Sequence, residues 1–555
     1  MHRRLLVSLV VSVLLFNITA CNDDGGGANN NPSPLSFVQP PLSSGSATFT
    51  TTHFSGSDNC AVCHDGISDS QGNDLSVVTD WSSTMMANST RDPFWIAKVR
   101  SELNRNPALT DLINDKCTRC HAPMANEEMQ RNSEYISLFD DGLLNITNSR
   151  HDAAMDGVSC TLCHQVLDSA KLGTLEGFSG QFEINENRAI YGSYSNVLTQ
   201  PMINRVGYTP GYSAHIQASE LCATCHELKT PYVDQFGNIL SQTPEDEFPE
   251  QTPYSEWLNS DYVNQQSCQD CHMSRANGVV MATRPMSLST QRDNFSAHDF
   301  VGANKMMLDI LDQNRQQLGV RSNNFAETIH KTEIMLANAA SIALQQSSLS
   351  NDLLSFTLQI NSATGHKLPS GYPSRRVVLH VTVHDSTGQV VFESGAIDSD
   401  GRVAGLDSDN DLLSYEPHYD LITRADQVQV YEAIMADSDD QVNYTLLRSA
   451  KYLKDNRILP NGFDKNSVPN DVAVQGAAFS DDDFLGGGDQ ISYQIALPSG
   501  ESYSVSVELL YQTIAYAFAE DLFRDSSPEI TDFKQMYDAS QHKVVPMTTL
   551  QFSVQ

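Results

Sequence analysis

The chain has 555 residues, with 34 Lys plus Arg against 68 Asp plus Glu, and a formal net charge of −34. A protein this acidic is repelled by phosphate backbones, so a nucleic acid is excluded as the expected partner. Hydrophobic residues make up 40% of the chain, too many for a disordered protein, and the length allows more than one core.

The N-terminus has the pattern of an export signal. Two arginines precede an apolar run over residues 5–16, which is too short to span a bilayer. Small residues lead into Cys21, as in bacterial lipoprotein signals, so we expect residues 1–20 to be removed and Cys21 to be lipidated. The alternative is an ordinary signal with a cysteine nearby. Asn22 follows instead of Asp, which favours the outer membrane, on its periplasmic or cell-surface face.

Residues 21–50 are predicted to form a flexible tether. They are rich in Gly, Asn, Pro and Ser, and a random coil of this length would hold the folded part about 30 Å from the lipid. No later apolar run reaches 18 residues, so the remainder is not expected to cross a membrane.

Ten of the eleven cysteines fall into five Cys-x-x-Cys-His pentapeptides. On a helical turn, positions i, i+3 and i+4 share one face. Two thiols can therefore bond to the vinyl groups of a haem while the histidine binds its iron. The predicted haem-bonding thiols are Cys60, Cys63, Cys117, Cys120, Cys160, Cys163, Cys222, Cys225, Cys268 and Cys271, and the proximal histidines are His64, His121, His164, His226 and His272.

Three other interpretations of the thiol pairs compete with haem attachment. A single Cys-x-x-Cys is also typical of a redox disulfide or of half a zinc site, and an exported chain can carry short disulfides. None of these explains a histidine after every second cysteine. The motifs therefore predict five covalently attached haem c groups.

The spacing of the motifs predicts a domain built around its cofactors. The first cysteines of successive motifs are 57, 43, 62 and 46 residues apart, so the motifs are not a tandem repeat of fixed length. About 50 residues per haem are too few for an independent hydrophobic core. We therefore expect sparse regular structure and closely spaced haems over residues 51–300.

The residue on the far side of each iron decides between an electron relay and a reaction site. Ten histidines of the mature chain lie outside the motifs, and five of them lie at or before residue 330, which permits five bis-histidine haems without proving them. His380 and His384 alternate on a predicted strand, so a structural role is favoured for them. The candidate distal ligands, ordered by sequence setting, are His298, His215, His366, His151, His53 and His330, the last on a predicted helix where a packed histidine is the alternative.

Methionine is the other residue type that can bind haem iron. Met85, Met86, Met124 and Met273 are candidates, and a Met/His haem would have a raised potential. The chain has 16 methionines, and most methionines fill gaps in cores. Packing is therefore the favoured role for these four.

The sequence around the motifs resembles the bacterial multihaem cytochromes that carry the cytochrome c-552/4 domain. The resemblance covers roughly residues 50–300 and rests on Trp81, residues 92–95, 117–123, 156–160, 219–226 and 268–273. It implies tightly stacked, mostly bis-histidine haems that transfer electrons. Some relatives are enzymes that act on small nitrogen or sulfur compounds at a haem with an open position. Nitrite-reducing relatives have a Cys-x-x-Cys-Lys site, which this chain lacks, so ammonia-forming nitrite reduction is not expected.

The C-terminal half contains no cysteine and changes its pattern. Residues 301–348 show helical periodicity and predict a connector, whereas residues 349–555 show strand patterns, interrupted by a helix near 513–523. The strands suggest an immunoglobulin-like β-sandwich. Its expected roles are to cover the haems, to bind a partner, or to supply His366 to a haem from residues 364–373, a segment that resembles one found after the haem region of such cytochromes.

An acidic loop over residues 407–411 has the start of a calcium-loop pattern. Asp407, Asp409 and Asp411 have the spacing of the first three ligands, but Leu412 and His418 stand where that loop needs Gly and Glu. A solvated acidic loop is therefore favoured over a calcium site.

Together these observations predict an α+β protein, with a haem-packed and mostly helical or irregular cytochrome domain followed by the β-sandwich. The favoured function is an exported, lipid-anchored pentahaem cytochrome that relays electrons between membrane or periplasmic redox partners and an outer acceptor. One alternative is a multihaem oxidoreductase with one open haem. The other is a subunit of an outer-membrane cytochrome complex or filament.

Overall fold

The computed structural model describes residues 35–498 and 502–555. The predicted signal peptide, Cys21 and residues 22–34 of the predicted tether lie outside these residues. Residues 37–50 differ from that prediction, because they pack into the folded part, where the backbone N–H groups of Val38 and Gln39 donate to Asp532. Phe37–Gln555 belongs to one compact unit. Helices dominate it before residue 340 and sheets dominate it afterwards, so the fold class is α+β as predicted. None of the helices in the described part is long and apolar enough to cross a bilayer.

The first part consists of helices and short strand pairs joined by long loops. Its helices are α1 (Asp58–His64), α2 (Val77–Ser82), α3 (Pro93–Arg105), α4 (Thr110–His121), α5 (Pro123–Arg131), α6 (His151–Met155), α7 (Cys160–Cys163), α8 (Thr199–Val206), α9 (Ser219–His226), α10 (Pro253–Leu258), α11 (Cys268–His272), α12 (Lys305–Gln313) and α13 (Phe325–Asn338). Its strands are β1 (Ala189–Gly192), β2 (Thr209–Tyr212), β3 (Leu228–Thr230), β4 (Phe248–Gln251), β5 (Arg275–Ala276), β6 (Val279–Val280), β7 (Gln291–Arg292) and β8 (Phe295–Ser296).

Every pentapeptide lies in a helical turn at the end of its element. Four of the motif histidines are the last residue of α1, α4, α9 or α11, and His164 directly follows α7. This placement puts both thiols and the histidine on one face of the helix, as the spacing requires. Long loops follow several of these turns, as expected for a region with little regular structure.

The connector differs from its prediction at its C-terminal end. Helix α13 ends at Asn338, and Ile342 and Ala343 lie in a strand, β9 (Ala340–Ser350), instead of continuing the helix. Strand β9 pairs with the strand that follows it, so tertiary pairing overrides a short apolar pattern that suits either structure.

Two antiparallel-rich sheets form the C-terminal part. Their remaining strands are β10 (Leu353–Ser362), β11 (Arg376–Asp385), β12 (Val390–Ser394), β13 (Leu421–Ile422), β14 (Val430–Ala436), β15 (Lys451–Asp455), β16 (Gly488–Ala496), β17 (Tyr503–Gln512) and β18 (Val545–Val554). One sheet has the order β13-β16-β10-β9, and the other has the order β15-β14-β11-β17-β18, with β12 paired to β11. Side chains of both sheets share one hydrophobic core.

Helices and 3₁₀ turns accompany the sheets. The helices are α14 (Asp407–Asn410), α15 (Tyr516–Leu522) and α16 (Pro528–Ala539), so the helix expected near 513–523 begins three residues later. The 3₁₀ turns of the described chain are Ser89–Arg91, Pro107–Leu109, Ala214–Gln217, Pro244–Asp246, Asp261–Asn264, Asn470–Val472 and Ala477–Phe479.

A second core joins the two parts of the molecule. Helix α3 packs against α16, and Phe94 of α3 contacts the rings of Phe518 and Phe533. Polar contacts lie beside this core. Arg100 pairs with Glu529 at 2.8 Å, and Lys98 donates to the Tyr444 carbonyl at 2.9 Å. The sheet region is therefore fixed against the helices that carry the pentapeptides.

Candidate haem sites

The thiols of the pentapeptides are placed for attachment. All ten are free, nine of them are partly buried, and Cys271 is exposed. Each pair lies on one helical turn, with both thiols on the same face.

Hydrogen bonds at Nδ1 orient four of the motif histidines. Each of these nitrogens bonds to a backbone carbonyl, so it carries the proton and leaves the Nε2 lone pair free for a metal. The contacts are His64 to Met281 O at 2.9 Å, His121 to Ser89 O at 3.1 Å, His164 to Tyr191 O at 2.6 Å and His272 to Val301 O at 2.6 Å.

Two motif histidines face a second histidine ring. The ring centroids of His164 and His298 are 6.1 Å apart with planes inclined by 21°, and those of His272 and His366 are 6.3 Å apart with planes inclined by 11°. An iron bound by two imidazoles at about 2 Å each would separate the centroids by about 6 Å. Both pairs therefore fit the two axial positions of a haem iron.

His151 has the character of a third distal ligand. Its Nδ1 donates to the Leu143 carbonyl at 2.9 Å, while its Nε2 is buried without any hydrogen-bond partner in the described chain. An unpartnered nitrogen in a side chain that is only 1% exposed is costly unless it binds something. Coordination to iron would satisfy it.

Three other candidate ligands have different surroundings. His215 places Nε2 at 2.9 Å from the Val166 carbonyl and Nδ1 at 2.7 Å from Ser213 Oγ, so Nε2 carries the proton. His53 has a carboxylate 3.1 Å from each ring nitrogen, Glu128 on one side and Glu186 on the other. His330 lies exposed on α13. In this arrangement neither His53 nor His215 offers a free lone pair.

Burial keeps three of the site's histidine rings neutral. It lowers the pKa of His121 and of His226 to about 4, and that of His298 to about 3. A neutral imidazole is the form that binds a metal. Trp95 stacks on His121 with the ring centroids 4.5 Å apart and the planes 5° from parallel, a support that the sequence alone did not reveal.

Contacts between thiols give the order of the motifs in space. The Cys160 thiol, together with burial, raises the pKa of Cys60, so these two thiols lie near each other. The Cys225 thiol raises the pKa of Cys120, and the Cys268 thiol raises the pKa of Cys222, in the same way. The first motif therefore lies beside the third, and the fourth lies beside both the second and the fifth.

Electrostatic interactions complete this order. The Cys225 thiol contributes to the raised pKa of Cys163, after burial, which places the third motif near the fourth. The charge of His272 helps to lower the pKa of His226, and the charge of His226 helps to lower the pKa of His121. The five motifs thus form a chain that branches at the fourth.

Two of the four methionine candidates pack into hydrophobic cores, the role that the sequence analysis favours. Met124 is completely buried in the core that contains Trp95 and Phe54. Met85 lies partly buried against the core shared by α3 and α16.

The acidic loop over residues 407–411 is not fully solvated as the sequence analysis favours, because Asp409 is buried. Asp409 binds Arg376 through both carboxylate oxygens, at 2.8 and 2.7 Å, with both side chains fully buried. The loop therefore has a fixed internal cation in place of a metal. His418, at the twelfth position, accepts hydrogen bonds at Nδ1 from Gln429 and Asn456. Its Nε2 therefore carries the proton and donates to Asp481.

Comparisons with known proteins agree with this site. Residues 59–165, which contain the first three pentapeptides, match the sequence profile of a family described as cytochrome c554 and c-prime. The fold is similar to the crystal structure of a penta-heme cytochrome c552 from Thermochromatium tepidum, with a TM-score of 0.50 and 17% identity over 91% of this chain and 100% of that chain. No curated protein sequence matches the chain.

Proposed function

Because the chain is a multihaem c-type cytochrome of the c-552/554 family, we propose that it relays electrons through five covalently attached haem c groups, one at each pentapeptide. Haem c supplies a one-electron redox centre when bound. The protein supplies the thioether bonds, the axial ligands and the spacing between centres.

The observation that carries this proposal is the facing of two histidine pairs, His164 with His298 and His272 with His366. A second axial histidine fills the position where a substrate would bind, so such a haem exchanges electrons only. We assign His298 to the third motif and His366 to the fifth. His151 is our proposed third distal ligand, and His330 remains a candidate for another haem.

The branched order of the motifs supports a relay instead of a single reaction centre. Three pairs of motifs have thiols close enough to shift one another's pKa, so the groups attached to them would lie near one another. Cys271 of the fifth motif is exposed. We therefore propose the fifth motif as one end of the relay, where a redox partner is reached.

We further propose export and lipid anchoring. The supporting features are the basic and apolar leader, the small residues before Cys21 and the Gly-, Asn-, Pro- and Ser-rich sequence that follows Cys21. The outer membrane is the proposed location, and other redox proteins are the proposed partners. The immunoglobulin-like character of the two packed sheets also remains part of the proposal.

The test is a haem count combined with spin-state spectroscopy on the full-length protein. A pyridine haemochrome assay and intact mass should give five haems per chain. Electron paramagnetic resonance (EPR) of the ferric protein should show mostly low-spin centres. A chain without added haem mass would overturn the proposal, and mass analysis of the mature N-terminus tests lipidation at Cys21.

A second candidate function is an oxidoreductase for a small nitrogen or sulfur compound. The observation that favours it is that, among the described residues, His121 and His226 face no second histidine ring as His164 and His272 do. A haem with an open position would be high-spin and would shift its spectrum when azide or cyanide is added. Five low-spin haems whose spectra do not change with azide or cyanide would rule out the oxidoreductase and favour the relay. The remaining alternative, a subunit of a larger complex, requires particles larger than one chain after detergent extraction.

A further inference from the structure

His366 reaches the haem region from the sheet region of the molecule. It lies between β10 and β11, and its ring faces His272 of the fifth motif at 6.3 Å. The ring Nδ1 of His366 bonds to the Lys367 carbonyl at 2.9 Å, and Thr364 Oγ1 donates to the His366 carbonyl at 2.6 Å. These local bonds orient the ring, but they do not fix the loop to the rest of the protein.

Four charged side chains form a connected network at this loop. We name it the ligand-loop cluster, and it consists of Glu256, Lys367, Asp455 and Arg457. Lys367 Nζ bonds to Asp455 Oδ2 at 2.6 Å, and Arg457 bonds to both oxygens of Asp455, at 2.9 and 2.8 Å. Arg457 Nη1 also bonds to Glu256 Oε1 at 2.8 Å. Two positive and two negative charges therefore balance inside the protein.

Glu256 connects the cluster to the backbone of the loop. Its Oε2 accepts from the backbone N–H of Lys367 at 3.1 Å and from Ser370 Oγ at 2.6 Å. The first of these bonds lies on the peptide that joins His366 to Lys367. Because Glu256 belongs to α10, between the fourth and fifth pentapeptides, it fixes the position of this peptide relative to the haem region.

Asp455 and Arg457 hold the other side of the loop. They lie at and just after the end of β15, and Leu368 exchanges backbone hydrogen bonds with Ile458, both at 2.9 Å. The Lys367 ammonium also lies over the Phe463 ring. The loop is therefore held between the sheet and α10.

The burial of the cluster argues against a purely stabilising role. The side chains of Lys367 and Glu256 are 0% exposed, and those of Asp455 and Arg457 are 2% and 7% exposed. Buried ion pairs often contribute no more stability than well-packed apolar residues of the same size, because their desolvation is costly. They do impose a fixed geometry, and an axial ligand must be held to within about half an ångström.

We propose that the ligand-loop cluster positions His366 as the distal ligand of the haem on the fifth pentapeptide. Glu256, Lys367, Asp455 and Arg457 act through His366 and are positioning residues that do not touch the haem iron. The sheet region would thereby be an integral part of the fifth haem site. This inference rests on the proposed haem attachment and on the ligand role of His366.

The experiment compares variants of the full-length holoprotein by EPR and optical spectroscopy. His366→Ala first identifies the fifth haem, because one haem in five should become high-spin while the haem count stays at five. Glu256→Gln keeps the side-chain volume. In this variant, the low-spin signal that His366→Ala removes should shift its g values or be lost. The other haem signals should not change. Added imidazole should restore a low-spin spectrum in His366→Ala, and in Glu256→Gln if its signal is lost.

Ser370→Ala is the milder second variant if Glu256→Gln does not accumulate. It removes only the 2.6 Å bond to Glu256, and a smaller shift of the same signal is expected. Asp409→Asn is the matched control, because it breaks the equally buried ion pair with Arg376 at the start of β11. It should lower the melting temperature and leave the signal of the fifth haem unchanged.

The outcomes separate this inference from the proposed function. If His366→Ala changes no signal, both the ligand assignment and the inference fail. If His366→Ala produces the high-spin haem but Glu256→Gln and Ser370→Ala leave every signal in place, only the inference fails. An equal change in Asp409→Asn would also overturn it, because the effect would then be general loss of stability.

Discussion

The hydrogen-bond partners of the ring nitrogens separate two of the proposed distal ligands, His366 and His151, from His215. His366 and His151 use Nδ1 on backbone carbonyls, which leaves Nε2 available. His215 uses Nε2 itself as a donor. The sequence supplies the candidates but not this distinction, because the carbonyl partner of His151 and the ring that faces His298 are brought close only by the fold.

Replacement of His298 tests the assignment at the third motif. His298→Ala should convert one low-spin haem to high-spin and leave the haem count unchanged, because the thioether bonds of the third motif do not depend on His298. The measurement is EPR with a parallel pyridine haemochrome assay. His380→Ala is the control, since His380 lies on β11 between Glu508 and Glu393 at 3.2 and 3.0 Å. An unchanged spectrum in His298→Ala would return His298 to a structural role.

Glu250 should make stability depend on pH. Burial, followed by the charge of Glu102, raises the pKa of Glu250 from 4.5 to about 7, although Thr230 and Lys116 oppose the shift. A raised pKa in the folded state means that the stabilising contribution is complete below pH 4.5 and is lost as the pH rises to 7. This loss is worth about 3 kcal/mol.

The variant Glu250→Gln removes this titration. The unmodified protein should lose about 3 kcal/mol of unfolding free energy between pH 4.5 and pH 8 as Glu250 ionises, and the variant should not show this loss. Melting temperatures of the holoprotein by calorimetry across this range provide the measurement. Parallel pH profiles of the two proteins would show that Glu250 does not titrate as described. Glu245→Gln, at an exposed position of the 3₁₀ turn before β4, is the control and should follow the unmodified profile.

Elements with strong local signals form as the sequence predicts. The helical turns of the five pentapeptides and most long strands of the second half are present. The exception is β9, where Ile342 and Ala343 continue an apolar pattern from α13 but pair with β10. A short apolar run suits either element, and only the pairing with a distant or following strand decides between them.

The N-terminus of α3 is stabilised by a side-chain cap. Asp92 accepts from the backbone N–H groups of Phe94 and Trp95, at 2.9 and 3.3 Å. Asp92→Ala should lower the free energy of unfolding by about 1 kcal/mol, because two N–H groups lose their partner. Thermal or denaturant unfolding measures this loss. Asn324→Ala at the start of α13 is the control, because Asn324 makes no side-chain cap bond, and an equal loss there would contradict the cap argument.

At the scale of the whole molecule, the covalent sites follow from sequence and the arrangement does not. Five repeated motifs give the proposed haem attachment sites, because that chemistry needs two thiols and a histidine on one turn. The branching at the fourth motif arises from contacts such as Cys120 with Cys225 and Cys222 with Cys268. No periodicity encodes contacts between segments this far apart, and the position of the sheets against α3 and α10 is equally non-local.

The net charge of −34 predicts how the reduced protein meets its electron acceptors. A strongly negative surface attracts cations and repels anions, and salt screens both effects over about 10 Å at 0.1 M. Oxidation by a small cationic complex such as hexaammineruthenium(III) should therefore slow roughly tenfold between 10 mM and 500 mM salt. Oxidation by ferricyanide should accelerate over the same range.

Stopped-flow absorbance of the haem bands measures both rates, and a neutral quinone serves as the control that salt should barely affect. The opposite directions of the two salt effects matter more than the absolute rates, because the acceptors differ in potential. If salt changes neither rate, the surface around the haem nearest to the acceptor is locally neutral. The net charge of the chain then does not determine the rate at which the protein encounters its acceptors. If both rates fall with salt, a local basic patch guides anions to the haem nearest to the acceptor. Docking of an acidic partner protein then replaces long-range repulsion as the basis of partner choice.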